Sequence, residues 1–427
     1  MIEAIMIGAG NRGIGAYGSY VIEHPNELAF VGVADPDNER RHYFQTEHKI
    51  KDDMVFHDAE EVYSKGKLAD AVFICTQDRQ HIHHVLKAMD LGYHVFLEKP
   101  MAVDPHDILK IQKKAIATKT ILVVAHVLRY SPFFNTIKNV LDEGHLGKIM
   151  VINHEENVGF YHQAHSYVRG NWRNSSIASP MILAKSCHDM DIISYLLDDT
   201  PKRLSSFGTR SHFKRETMDG VPNYCLDGCP HQETCLYFAP KVYLNAGDWM
   251  KFPVSNDLSD QAILKALEKG PYGRCVYRSD NDVVDHQVVS IEFDHETTVN
   301  FSMSAFSNKI TRHIHIMGTN GELWGDMNED HLTIKPFGKD AFYVNIPEGK
   351  GGHGGGDHGA VKRFIEACHQ RIDVNHDLEI AVQGHLLAFA AEKSRVSGET
   401  VDFKHFVKEL SWYLDMQNKK NQKISSI

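Results

Sequence analysis

Short apolar runs alternate with stretches of helical spacing through the first quarter of the chain, and that alternation restricts the fold more than any other feature. "IEAIMIG", "LAFVGVAD", "ADAVFICT", "YHVFLEKP" and "TILVVAHV" are compact runs rich in Val and Ile. Runs of this kind read as parallel strands buried on both faces. Separated by helices, they predict a doubly wound α/β sheet. The pattern stops near residue 125. Beyond it, "GKIMVINHEEN", "VVDHQVVSIEFD", "TTVNFSMSAF", "RHIHIMGTNGELWGD" and "HLTIKPFG" read as longer, half-polar strands, with "GTNGEL" as a hairpin turn.

A chain of 427 residues exceeds a single core, so two domains are expected. The first spans 1–125. The second, 126–427, is α+β with a mostly antiparallel sheet. Helices near 181–198 and 358–395, the latter broken around Asn375, should cover one face of that sheet. Residues 210–280 carry clustered Cys, Pro and Gly and read as an irregular insertion. The net charge of −10 argues against a nucleic-acid surface. The longest apolar stretch, near "ILVVAHVL", falls far short of the roughly 20 residues that span a bilayer. The sequence enters a strand-like run at once, so export is not expected. Seven cysteines, an odd number, suit a reducing compartment. A cytoplasmic protein with neither membrane nor nucleic-acid partners is expected.

"MIGAGNRGIG" places Gly8, Gly10 and Gly13 in a G-x-G-x-x-G loop, with Asn11 and Arg12 between the last two. A strand precedes the loop and a helix follows. Asp35 ends the next strand, where its carboxylate can accept hydrogen bonds from both ribose hydroxyls of an adenosine. Glycines permit a tight turn and close backbone approach, and the helix N-terminus offers N–H groups to a pyrophosphate. The first domain is therefore expected to be a Rossmann domain binding a dinucleotide. Asp35 would repel a 2′-phosphate and no Arg directly follows it, Arg40 and Arg41 lying further on, so NAD is favoured over NADP.

"VFLEKPMAVD" puts Glu98-Lys99-Pro100 at the carboxyl edge of the sheet, and "ILAKSCHDMDIISYLLD" puts His188 in a packed helix. With the glycine loop, these segments resemble the glucose–fructose oxidoreductase / inositol dehydrogenase / MocA (Gfo/Idh/MocA) family. The resemblance covers residues 1 to about 200 well and continues less firmly to about 400. It implies that Thr76 and His81 line the dinucleotide cleft, together with Glu98 and His126. It implies that Lys99 lies beside the nicotinamide and the substrate, and that His188 is the catalytic histidine. Many members carry an aspartate four residues before that histidine. Here the position is Ala184, with Lys185 next to it, so Lys185 is the expected polar partner.

Oxidation of a secondary alcohol releases a hydride and a proton. The proton needs a base with a suitable pKa within reach. His188 is the expected base, Lys99 the cation that stabilises developing alkoxide charge, and Lys185 a supporting contact. Arg129 in "AHVLRYSPFF", His286 in "NDVVDHQVV", and His353 and Asp357 in "GKGGHGGGDHG" are candidate substrate contacts. Cys225, Cys229 and Cys235, with His231 and Cys275 nearby, offer the donors of a structural zinc site, though the spacing is not that of paired Cys-x-x-Cys knuckles. The leading expectation is an NAD-dependent oxidoreductase acting on a sugar, sugar derivative or cyclitol. The runner-up is an NAD-dependent glycosidase of the same superfamily, working by transient oxidation and elimination, and a third class is a non-catalytic NAD(H)-sensing protein. An apolar sheet face in the second domain needs cover. Family members usually bury it, so a homodimer or homotetramer is expected.

Overall fold

Six parallel strands build the first sheet of the computed structural model, which describes residues 1–370 and 372–425, with side chains to Gln417. They are β1 (Ile2–Ile7), β2 (Leu28–Ala34), β3 (Val55–Phe56), β4 (Ala71–Ile74), β5 (His94–Leu97) and β6 (Leu122–Val124). Their order is β3-β2-β1-β4-β5-β6, so the order in which strands are added reverses between β1 and β4 while all stay parallel. Ligands in open α/β sheets bind beyond the carboxyl ends of the strands at that reversal. Ala71–Ile74 is buried throughout, as an apolar run covered on both faces requires.

The second sheet has nine strands. They are β7 (Ile149–Asn157), β8 (Pro201–Thr209), β9 (His286–Phe293), β10 (Thr298–Ser304), β11 (Thr311–Gly318), β12 (Gly321–Asp326), β13 (His331–Pro336), β14 (Phe342–Asn345) and β15 (Val401–Asp402). The order is β14-β13-β12-β11-β7-β10-β9-β8-β15. Only the β7–β10 pairing is parallel. The β11–β12 hairpin turns at Thr319-Asn320, where the sequence pattern placed it.

Helices Cys187–Leu197 and Asn375–Ser397 pack together against the inner face of this sheet. Two expectations need correction. The stretch 181–198 is not one helix: it breaks at Lys185-Ser186, between Met181–Ala184 and Cys187–Leu197. Helix Gly356–Cys368 does not cover the antiparallel sheet. Its Phe364 packs edge-on against Phe73 and Phe96 of the first sheet, so late chain completes the early core. The 210–280 insertion is also more ordered than its composition suggests. It holds helices Ala239–Leu244, Asp248–Lys251 and Asp260–Lys269 and has its own buried clusters. Among the described residues, no helix is long and apolar enough to cross a membrane.

Candidate active site

The ends of β1, β4, β5 and β6 bring the predicted cofactor residues to one edge. Gly8 sits at φ +92°, and a Cβ there would stand 2.6 Å from the Cys75 carbonyl oxygen. Gly13 approaches the Gly8 carbonyl just as closely, while Gly10 has nothing within 4 Å of its would-be Cβ. The loop is thus closed on its inner side and open on its outer side. Asn11 caps nothing with its side chain, and the chain passes through a wide turn, Arg12–Gly18, before helix Ser19–Glu23. The Asp35 carboxylate is buried and accepts hydrogen bonds from the Ala9 N–H (2.7 Å) and the Asp37 N–H (2.8 Å). Arg41 folds back to donate to the Asp35 carbonyl and the Asn38 side chain. The Thr76 hydroxyl is buried without a partner. An open glycine loop, an acidic strand end and an unpaired buried hydroxyl in one groove fit a dinucleotide.

Two predicted cofactor residues act less directly. His81 spends both ring nitrogens on backbone carbonyls, Pro100 at 2.7 Å and Thr76 at 3.1 Å. It braces the cleft wall instead of presenting a nitrogen to it. The Arg12 guanidinium is taken up by protein partners. It donates to Glu98 Oε1 at 2.6 Å, to both oxygens of Asp357 at 2.8 and 2.9 Å, and to the Tyr17 hydroxyl at 2.7 Å. Burial opposes ionisation of Asp357, but Arg12 and then His353 outweigh it and hold the carboxyl far below the usual range.

Lys99 follows Glu98, and a cis peptide joins it to Pro100. Its Nζ donates to the Ala184 carbonyl at 2.7 Å. That bond carries the ammonium from the first domain to the segment bearing His188. The His188 ring is buried and its Nδ1 has no partner. Its neighbours are the rings of His353 at 5.7 Å and His126 at 5.8 Å. Burial first, then Lys99, His353 and His126, holds the His188 imidazole well below its usual value. The imidazole is neutral at neutral pH.

Lys185 lies at the helix break, with Nζ 3.1 Å from Glu156 Oε1. Burial lowers the pKa of its ammonium, and Glu156 pulls the other way. Glu156 also pairs with Arg312, whose Nε reaches Asp189 Oδ1 at 2.7 Å; His154 Nε2 approaches that same oxygen at 2.9 Å. None of these four was singled out from sequence. The available signal was parity: His154 and Glu156 on β7, and Arg312 on β11, occupy inward positions.

Four expectations fail here. Arg129 is no substrate contact: it is buried, with Nε 2.6 Å from Asp191 Oδ2 and Nη1 2.9 Å from the Asp377 carbonyl. His126 is buried behind His188 and approaches Asp191 at 3.5 Å and His385 at 3.3 Å. His286 does not reach the cleft. Gln287, Val289, Ile291 and Phe293 face inward, so period-two alternation puts His286 outside with Val288. The zinc donors are not assembled either. Cys225, Cys229 and Cys235 are free thiols, and among the described residues every group of three ligand atoms within 4.8 Å of one another lies elsewhere. Cys225 Sγ instead accepts from Arg169 Nη2 at 3.6 Å, and burial pushes the Cys275 thiol up to about 11.

Residues 2–126 match the oxidoreductase family with an NAD-binding Rossmann fold, and residues 138–403 match that family's C-terminal alpha/beta domain. The chain is 21% identical over 311 residues to a putative oxidoreductase, YteT, of Bacillus subtilis, covering 67% of this chain and 70% of that one. It is 24% identical over 188 residues to a 2,7-anhydro-N-acetylneuraminate hydratase of Mediterraneibacter gnavus, covering 44% and 48%. An oxidoreductase structure from Agrobacterium radiobacter, in complex with NAD+, L-tartaric acid and magnesium, superposes with TM-score 0.69 at 14% identity, covering 95% of this chain and 99% of that one. With both halves matched and the cleft between them built for a dinucleotide, the chain belongs to the Gfo/Idh/MocA family of NAD-binding oxidoreductases.

Proposed function

We propose that the chain oxidises a hydroxyl, or reduces the matching ketone, of a sugar, sugar derivative or cyclitol. Residues 1–125 hold the cofactor, and 126–427 supply the substrate side. The observation that carries this reading is the Lys99 Nζ–Ala184 carbonyl bond of 2.7 Å, which joins the strand-end lysine to the histidine-bearing segment. NAD, when bound, supplies the hydride acceptor. His188, kept neutral by burial and by Lys99, takes the hydroxyl proton. Among the described residues Lys99 has no carboxylate partner at its Nζ, so its charge is available to the oxygen as negative charge develops there. Lys185, tied to Glu156, is a weaker substrate contact at the rim of the same site. Where many relatives carry an aspartate, the Ala184 carbonyl receives Lys99 instead.

The test is a screen of polyols, sugars and sugar acids with NAD+ and NADP+, read at the reduced-nicotinamide absorbance. Steady NADH formation supports the reading; none with any compound refutes it. A redox-neutral elimination is the second reading, favoured by the hydratase among the relatives and by the absent aspartate. Its mark is turnover with catalytic NAD, no net NADH, and solvent deuterium entering beside the reacting carbon. The open face of the second sheet exposes Met150, Val288 and Trp324. That supports a homo-oligomer closed over this face, and the odd number of cysteines, present as free thiols, fits a cytoplasmic setting. A single-chain mass by light scattering at micromolar concentration would refute the oligomer.

A further inference from the structure

A base buried as deeply as His188 needs a route by which its proton leaves. Two imidazoles flank it, their ring centres 5.7 and 5.8 Å from its own, and they lead in opposite directions. His126 is 1% exposed and leads inward, towards Asp191 and His385. His353 has a side chain 36% exposed, with its ring centre 5.7 Å from that of His188. We propose that His353, backed by Asp357, is the proton shuttle between His188 and water. The assignment rests on His188 being the proton acceptor.

The dyad is built for the task. His353 Nδ1 lies 3.0 Å from Asp357 Oδ1, which leaves Nε2 as the exchanging nitrogen. Asp357 is itself 2% exposed and pinned by both terminal nitrogens of Arg12. The loop carrying the pair is held in an irregular backbone: φ is +52° at His353, +63° at Gly354 and +95° at Gly355. A side chain held at positive φ signals a position fixed by its surroundings, and such positions cluster at working sites. The charged groups acting on His353 are the Asp357 carboxylate, the Arg12 guanidinium and the Lys185 ammonium; His188 is its titratable neighbour. In the transfer, one N–H bond breaks on His188 and one forms on His353 Nε2. The proton then passes to solvent water, and no electron moves.

His353→Asn is the variant of choice, because asparagine tolerates the left-handed backbone. Its NADH formation from the best compound of the screen, in dilute buffer, should fall roughly tenfold in kcat, with substrate KM and NAD+ affinity little changed. Added imidazole should restore the rate. An unchanged kcat, or a loss that no imidazole concentration reverses, overturns the shuttle. Asp357→Asn gives an independent reading without turnover. The His353 C2–H resonance of the protein without added cofactor should titrate at lower pH, since the imidazole loses the anion that holds its proton. An unmoved titration overturns the backing role. Failure of the parent reading is distinct: the wild type itself then forms no NADH, and the shuttle falls with it.

Discussion

Two clusters of buried charge flank the cleft, and they are balanced differently. On the cofactor side one cation, Arg12, faces two carboxylates, Glu98 and Asp357. On the substrate side two cations, Lys185 and Arg312, face Glu156 and Asp189. The first cluster has one negative charge too many until Lys99 is counted, and Lys99 extends its ammonium away, across to Ala184. The positive end of that arrangement therefore reaches the segment that bears His188 while its counter-charge stays with Arg12. The second cluster is closed: Glu156 and Asp189 are fully buried and Arg312 is 5% exposed. It is a foundation for the histidine segment, and its cations Arg312 and Lys185 also act on His188 and His353.

The largest effect should come from breaking what lies between the clusters. Lys99→Ala or His188→Asn should each reduce kcat/KM by about 10²–10⁴-fold, read as NADH formation, with circular dichroism unchanged. Next, Glu156→Gln leaves two buried cations short of an anion and should cost about 3–5 kcal/mol in urea unfolding. Arg12→Gln, on the more hydrated side, should cost less, about 1–3 kcal/mol. An Arg12 loss equal to or above that of Glu156 would reverse the ranking of the two clusters.

Acid sharpens the same contrast. The Asp357 carboxyl is depressed in the folded state, so its pairing contributes stability above the ordinary Asp range, near 3.9, and that stability is lost as pH falls through the lower folded value. Arg12→Gln should therefore flatten the acid limb of a stability profile measured by thermal melts. In the rate profile, the lowered His188 imidazole places the acid limb of kcat/KM below the usual value of about 6.5. Lys99→Met should move that limb upward, whatever residual rate remains. The smallest effect should come from His286→Ala, which sits on the outer face and should leave kcat/KM within about twofold, as surface positions usually do.

The cofactor side was legible because its chemistry is local in the chain. Gly8 to Gly13, Asp35, Thr76 and Lys99 each stand at a strand end, and the strand pattern is readable from apolar runs. The substrate side was only partly legible. Glu156 and Arg312 are direct partners across β7 and β11, a pairing fixed by register between segments more than 150 residues apart. Neither residue stands out alone. The inward parity of two charged positions in an otherwise alternating strand was a usable sign, and the same rule would have set His286 outside. Arg129 was misread for a different reason: its partner Asp191 lies on a distant helix, and nothing near Arg129 in sequence announces a buried counter-ion. Periodicity alone made 181–198 one helix, because apolar spacing continues across the break at Lys185-Ser186.

Helix Gly356–Cys368 lies on the first sheet although more than 200 residues separate it from β6. During synthesis, then, the nucleotide-binding half emerges with Phe73 and Phe96 still uncovered on that side, and it stays so until most of the polypeptide has left the ribosome. A fragment ending at residue 126 would meet water with an unfinished interior. Closure of that interior is thereby contingent on synthesis through residue 368.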